Sequence, residues 1–259
     1  MSYGLQISAS GVSTALYRQN VLANNLANMD TAGFKPDVPS QRTRLAARQE
    51  DGLSYLPSND LLERLGGGVL MGPTRIEFSQ GSLRTTENPL DVAIRGDGFF
   101  LVKDESDTSG DSLRLTRDGR FTRDNRQRLV MASSGLPVLD SNGREIFVPP
   151  QGTVTIDGQG NILSGNRAIA RLGVVEVPGR EQLRKLGQGL FGAPAEVIDG
   201  RRPFTGQVVQ GAVEDSAVNE IKTLLDLQAA AREVDTNIWL MQQHDRLMER
   251  AIAGIGRVA

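Results

Sequence analysis

The chain carries one histidine, His244, and no cysteine. A nucleophilic relay needs a histidine set between a hydroxyl and a carboxylate, and a metal centre needs several imidazole or thiolate ligands. His244 lies inside a C-terminal run with apolar residues at helical spacing, so it reads as a polar residue of a helix surface or interface. Asp30, in Asp-Thr-Ala-Gly, would need a second aspartate of the same kind to share a proton, and the chain offers no second copy of the tetrapeptide. The acidic run Asp104–Asp111 misses the ligand spacing of a calcium loop and has no closing glutamate, so it reads as a solvated hairpin tip. The triple glycine Gly66–Gly68 is not followed by Lys-Ser or Lys-Thr, which removes a phosphate loop. Arg117, Arg120, Arg123, Arg126 and Arg128 are interrupted by Asp118 and Asp124, and only Phe121 could stack on a base; they read as a charged hairpin face. No catalytic, cofactor-binding or metal-binding residues emerge, and the chain does not read as an enzyme.

Residues without chemistry of their own turn attention to the elements that carry them. The chain has 259 residues, 39% of them hydrophobic, with 29 glycines and 11 prolines. That mixture points to a turn-rich β core with extended connections. A net charge of −2 gives no field that would favour nucleic acid or an anionic membrane. The N-terminus lacks the basic and apolar regions of a cleaved secretory signal, and no apolar run approaches membrane-spanning length.

Both ends read as helices. Leu5, Val12, Gln19 and Leu26 recur every seven residues, flanked by Ser8, Ala15 and Leu22 and by Ala9, Leu16 and Ala23. This helix should end near Asn28 or Met29, with Gly33 free to turn left-handed and Pro36 barring continuation. The last helix, about 218 to 252, alternates Leu224, Ala231, Ile238, Asp245 and Ile252 with Leu227, Val234, Met241, Met248 and Ile255. That is a heptad seam, broken once by Asp245. Residues 31–72 are polar and rich in proline and glycine and read as an extended connector. Short strands follow: Leu90, Val92 and Ile94 alternate inward, and Asp118-Gly119, Asn142-Gly143 and Asp157-Gly158 are each flanked by strand-like runs, the hairpin signal. The expected fold is α+β: terminal helices (1–30 and 212–259) pairing as a coiled-coil-like domain, a connector (31–72) and a central antiparallel β domain (73–211).

Asn20, Asn24 and Asn28 repeat every four residues beside the apolar stripe of the first helix. Asparagine is a poor helix former, so a row of amides suggests docking against backbone or polar groups. Energy points the same way. Ordering a residue costs roughly 1–2 kcal/mol, and burying a large aliphatic side chain returns about 1.5–3 kcal/mol. Leu5, Val12, Leu16, Leu22 and Leu26, with alanines, cannot offset that on one face. Other copies of the chain could supply the missing surface. The expected assembly interface is Leu5, Val12, Leu16, Asn20, Asn24, Asn28, Leu224, Leu227, Val234, Ile238, Met241 and Met248.

Ala23–Lys35, ANNLANMDTAGFK, resembles the signature of the flagellar rod and hook family. Phe78–Val102, Leu115–Val130 and Gly211–Ile221 are similar to its later blocks, in the same order, so the resemblance spans nearly the whole chain. Ala217 stands where the family usually has asparagine; Arg232, Asp235 and Asn237 match its C-terminal pattern, while Val234 replaces an aromatic. The length fits a rod member better than a hook protein, which carries an additional outer domain. The resemblance implies a subunit of the basal-body rod, proximal or distal, with terminal helices forming the inner tube and the β domain outside. It implies a helical homopolymer, a hollow drive shaft crossing the periplasm that transmits torque. The implied partners are other rod and hook axial proteins and the flagellar type III export apparatus, which carries the chain without a cleaved signal; nucleic acid and membrane insertion are not expected. The alternatives are a hook-type axial subunit and a non-flagellar surface β-domain binding protein.

Overall fold

The computed structural model describes residues 3–50, 52–57, 66–105, 112–150, 153–165 and 167–255. The chain has a helix at each end and an antiparallel β region between them. It divides into two compact units: residues 1–27, 37–75 and 219–259, and residues 28–36 and 76–218.

In the first unit the N-terminal helix spans Tyr3–Ala27 and the C-terminal helix Glu220–Ile255. The second starts cleanly because Asn219 Oδ1 accepts the Lys222 N–H at 2.9 Å, while Glu220 supplies a negative charge to the first turn. The two helices pack together and run antiparallel: Gly4 lies against His244 and Gly11 against Asn237, and Arg18 Nη1 reaches Glu233 Oε2 at 3.1 Å. The stretch read as an extended connector contributes paired strands, Gln41–Thr43 against Val69–Met71. Ser10 joins that pair to the helix, its hydroxyl accepting the Val69 N–H at 3.2 Å and donating to the Ile7 carbonyl at 2.7 Å. Within the connector, residues 51 and 58–65 lie outside the described residues.

The second unit is built on a six-stranded antiparallel sheet in the order Arg184–Gly187, Leu190–Gly192, Leu113–Thr116, Phe99–Lys103, Val174–Glu176 and Arg202–Pro203. Its edges are short and irregular. One carries Arg184, Lys185 and a register shift before Gly187, and the other is two residues long and includes Pro203. Apolar side chains pack on both faces. Phe100, Val102, Met131, Val138 and Ile146 lie in one cluster, and Phe99, Leu101, Leu115 and Phe191 in the other. Phe99 meets Phe78 edge-on at 5.8 Å and Phe100 meets Phe121 likewise at 5.1 Å, the arrangement aromatic quadrupoles favour. Val92–Arg95, which sequence alternation placed with one face inward, buries Ala93 as well as Val92 and Ile94, because it is covered on both sides.

Three hairpin tips share one construction. Asp124, Asp140 and Asp157 each accept, through Oδ1, the N–H groups two and four residues on. Gln127, Gly143 and Gly160 each take a positive φ at the third following position, 62°, 78° and 80°. Asn142-Gly143 and Asp157-Gly158 therefore do mark turns, although in the latter Gly160 supplies the left-handed residue. Asp118-Gly119 does not mark a hairpin. Leu113–Thr116 pairs with Phe99–Lys103 and with Leu190–Gly192, whereas Phe121–Arg123 pairs with Leu129–Met131. Gly119 is needed for another reason: it passes so close to the Val92 carbonyl oxygen that a methyl group would overlap it. The expected acidic hairpin tip falls mainly on residues 106–111, outside the described residues.

Candidate assembly surface and a buried charge cluster

The helix pair is held by small residues rather than large ones. Ser8, Ala15, Leu22 and Asn25 are buried on the N-terminal helix, and Thr223 and Ala230 on the C-terminal helix. With Gly4 and Gly11 they repeat at spacings of three and four, which keeps them on one face. A Cβ at Gly11 would lie 2.9 Å from Asn237 Oδ1, so the two backbones approach as closely as side chains permit. Leu227, Val234 and Met241 are half-buried on the same face of the C-terminal helix. The buried row beside them is Thr223, Ala230 and the half-buried Asn237 and His244, one residue earlier in each heptad than the row with the larger apolar residues.

That displaced row has a different setting. Leu224 is 45% exposed, Ile238 40% and Ile252 69%, and Met248, which continues the Leu227 row, is 47% exposed. Ile221, Leu225, Trp239 and Leu247 are exposed as well, as is Leu16 on the N-terminal helix. Leu5 and Val12 are partly covered. The structure thus gathers Leu227, Val234 and Met241 into the packing between the helices and leaves Leu16, Leu224, Ile238 and Met248 facing solvent. A run of exposed large apolar side chains along one helix is the signature of a surface that binds another protein.

The asparagines divide too. Asn20 and Asn24 are exposed, and Asn28 is half-buried with its Oδ1 accepting the Thr31 hydroxyl at 3.2 Å. The amide that docks on backbone is Asn25, outside the four-residue repeat. Its Nδ2 donates to the Asp37 carbonyl at 2.7 Å and its Oδ1 accepts the Asp37 N–H at 2.9 Å. One side chain thereby completes both main-chain groups of one residue, as a neighbouring strand would.

The second unit encloses a cluster that charge patterning alone does not reveal. Lys35, Arg117 and Glu214 are each buried. Lys35 Nζ donates to Glu214 Oε1 and, at 2.7 Å, to the Ser79 carbonyl. Arg117 Nη1 donates to Glu214 Oε2 at 3.2 Å and its Nη2 to the Gly96 carbonyl at 2.9 Å. The Gly81 N–H completes Glu214 at 2.9 Å. Burial draws the Lys35 ammonium below its ordinary value while Glu214 pulls it back up, and the same two causes act on Arg117. The backbone closes around the cluster: the Gly33 N–H donates to the Glu214 carbonyl at 2.7 Å and the Ala217 N–H to the Phe34 carbonyl at 3.0 Å. Gly33 has φ 66°, and a Cβ there would come within 2.5 Å of the Arg117 carbonyl carbon, so glycine is required twice over. Lys35, Ser79, Arg117 and Glu214 come one from each of the four family-like sequence blocks, which was the available signal for a cluster that sequence reasoning missed.

The other candidate chemistry resolves into structure. Arg120 is held by Asp118 through two hydrogen bonds of 2.9 and 2.8 Å, and Arg128 by Asp124, Glu105 and Glu145. Arg117, Arg120 and Arg128 are therefore paired with acids within the chain, Arg123 Nη1 donates to the Pro149 carbonyl at 2.8 Å, and Arg117 is buried. Among the described residues no acidic, histidine or cysteine group could hold a metal ion, and no helix is long and apolar enough to cross a membrane.

The first unit bears exposed large apolar side chains on its terminal helices, and the second pairs its buried charges internally, which suits a structural subunit. Residues 5–35 match the family described as flagella basal body rod protein, and residues 93–164 the flagellar hook protein FlgE/F/G D1 domain. The chain is 31% identical to the flagellar basal-body rod protein FlgG of Buchnera aphidicola subsp. Schizaphis graminum, over 95% of this chain and 97% of that one. It is 31% identical to the rod protein FlgF of Caulobacter vibrioides over the whole of both chains, and 29% identical to FlgF of Escherichia coli over 97% of each. The chain belongs to the flagellar basal-body rod proteins. Its role is that of a structural subunit of the rod, in the flagellar basal body, and it is not an enzyme.

Proposed function

We propose that copies of this chain assemble helically through their terminal helices into a hollow drive shaft that transmits torque. The observation that carries this reading is the exposed line Leu224, Ile238 and Ile252, with Met248 exposed beside it, on a helix whose adjacent row is already packed against the N-terminal helix. Burying such side chains returns about 1.5–3 kcal/mol each, enough in repeated contacts to hold a polymer. Leu16, Asn20 and Asn24 would meet neighbouring subunits, the amides fixing register as isolated polar residues do in helical seams. Leu5, Val12, Asn28, Leu227, Val234 and Met241 would support that surface through the coiled-coil-like pairing of the two helices. Other rod and hook axial proteins would abut the polymer ends, and the flagellar type III apparatus would export the chain without removing a signal peptide.

Ile238→Asp tests the proposal. An unpaired charge in an interface is costly, whereas at a solvent-exposed position it is tolerated. The variant should be made, melt like the wild type and fail to build rods, leaving cells non-motile. Complete basal bodies in Ile238→Asp cells would remove the outer line from the assembly surface.

A further inference from the structure

Two cations and one carboxylate lie together in the buried cluster of the second unit. Lys35 and Glu214 side chains are 0% exposed and Arg117 is 2% exposed. Taking one charge out of water without a partner costs several kcal/mol, and the two cations here also repel each other. Their carbonyl partners, on Ser79 and Gly96, stabilise the donors but bring no opposite charge. The further carboxylate that acts on both is Asp97, which is exposed and engaged with Arg180 at 2.8 Å. Glu214 is thus the one buried acid that makes closure around Lys35 and Arg117 favourable.

Glu214 joins its partners late in the chain. Glu214 is separated from Lys35 by 179 residues and from Arg117 by 97. Every strand of the six-stranded sheet precedes it. A chain made from its N-terminus therefore has the whole sheet, and both buried cations, before it has the acid.

We propose that Glu214 is a completion lock: the β region packs stably only after residue 214 is available, so an unfinished chain stays open. The lock is electrostatic and local, and it does not depend on how the helices assemble. Ala212–Glu214 also pairs with Leu83–Thr85, so losing the strand and losing the charge must be separated. Variants of the full chain do this, because Glu214→Gln keeps the strand and removes only the charge.

Glu214→Gln should lower the thermal midpoint of the β region by about 10 °C. Adding Lys35→Met and Arg117→Met to the same chain should restore most of that loss, since no buried cation then lacks its acid. A wild-type midpoint in Glu214→Gln, or a triple variant no better than the single one, would overturn the electrostatic lock. Timing is read by pulsed hydrogen exchange during refolding of the wild-type chain. The Leu101 and Val138 amides, bonded to the Gly173 and Leu129 carbonyls, report the sheet and its neighbouring strands. The Gly33 and Asp215 amides, bonded to the Glu214 and Ser82 carbonyls, report the lock. Leu101 and Val138 should gain protection no earlier than Gly33 and Asp215; protection of the sheet before the lock would overturn the proposal.

Discussion

Replacing Asn25 by alanine removes the one helix side chain that stands in for a strand. Two hydrogen bonds are lost, at 2.7 and 2.9 Å, from a residue that is 3% exposed. Each is worth about 1 kcal/mol net, and more where the abandoned partner is shielded from water. Asp37 is half-buried, so solvent can recover part of that larger penalty. Alanine returns roughly 0.5 kcal/mol through its better helix propensity. The expected net loss is about 2 kcal/mol, or a fall of about 8–16 °C in the melting of the helical unit. Urea unfolding followed by far-ultraviolet circular dichroism gives the magnitude, and hydrogen exchange at the Asp37 amide gives the location. Asn20→Ala, at an exposed position of the same helix, should change stability by less than about 0.5 kcal/mol. Equal effects at the two positions, or an Asp37 amide as protected in Asn25→Ala as in the wild type, would refute the assignment.

Gly119→Ala should destabilise the β region by about 3 kcal/mol, because the methyl cannot fit beside the Val92 carbonyl, and thermal unfolding measures it. Gln127→Gly should stabilise by about 1 kcal/mol, since glycine accepts φ 62° without the penalty glutamine bears there; the same melt checks it. The Arg180 hydrogen bond holds the Asp97 carboxyl below the usual carboxylate range, and hydrogen bonds from Asn161 and Thr205 do so for Asp157 and Glu176. A depressed folded-state value gives stability that is present above the unfolded value, about 4, and is lost as pH falls through the folded one. The wild-type melt should therefore weaken below about pH 4, and Arg180→Gln should reduce the part of that loss that Asp97 contributes.

The sequence makes the long helices and the β character of the middle legible, because each repeats a pattern over many residues. Of the two rows read as the helix seam, Leu227, Val234 and Met241 are half-buried, and the other row sits one residue from the close packing for a physical reason. Hydrophobic periodicity selects the row with the largest side chains, Leu224, Ile238 and Ile252, whereas close packing selects the adjacent row of Thr223 and Ala230. The large row is then left outside, where a binding surface belongs. Asp118-Gly119 misleads in a similar way, since glycine can be required by a neighbour's carbonyl as much as by a turn. Asn25 is hidden by Asn20, Asn24 and Asn28, whose regular spacing attracts attention that its single contact with Asp37 does not. The Lys35–Glu214–Arg117 cluster has no period at all: its members are single charges far apart in the chain, and only their presence in separate recognisable blocks hints at a shared place.

The short, irregular rims of the six-stranded sheet matter most when subunits are crowded. In the helical polymer proposed above, identical sheets would sit side by side at a local concentration at which open strand rims would zip into cross-β stacks. Here one rim is interrupted by its bulge and its cations, and the other ends at Pro203, which has no N–H to offer. Adhesion in such a polymer would thereby be confined to side chains, which can slide and re-register under twisting load, and denied to backbone ladders, which could not let go.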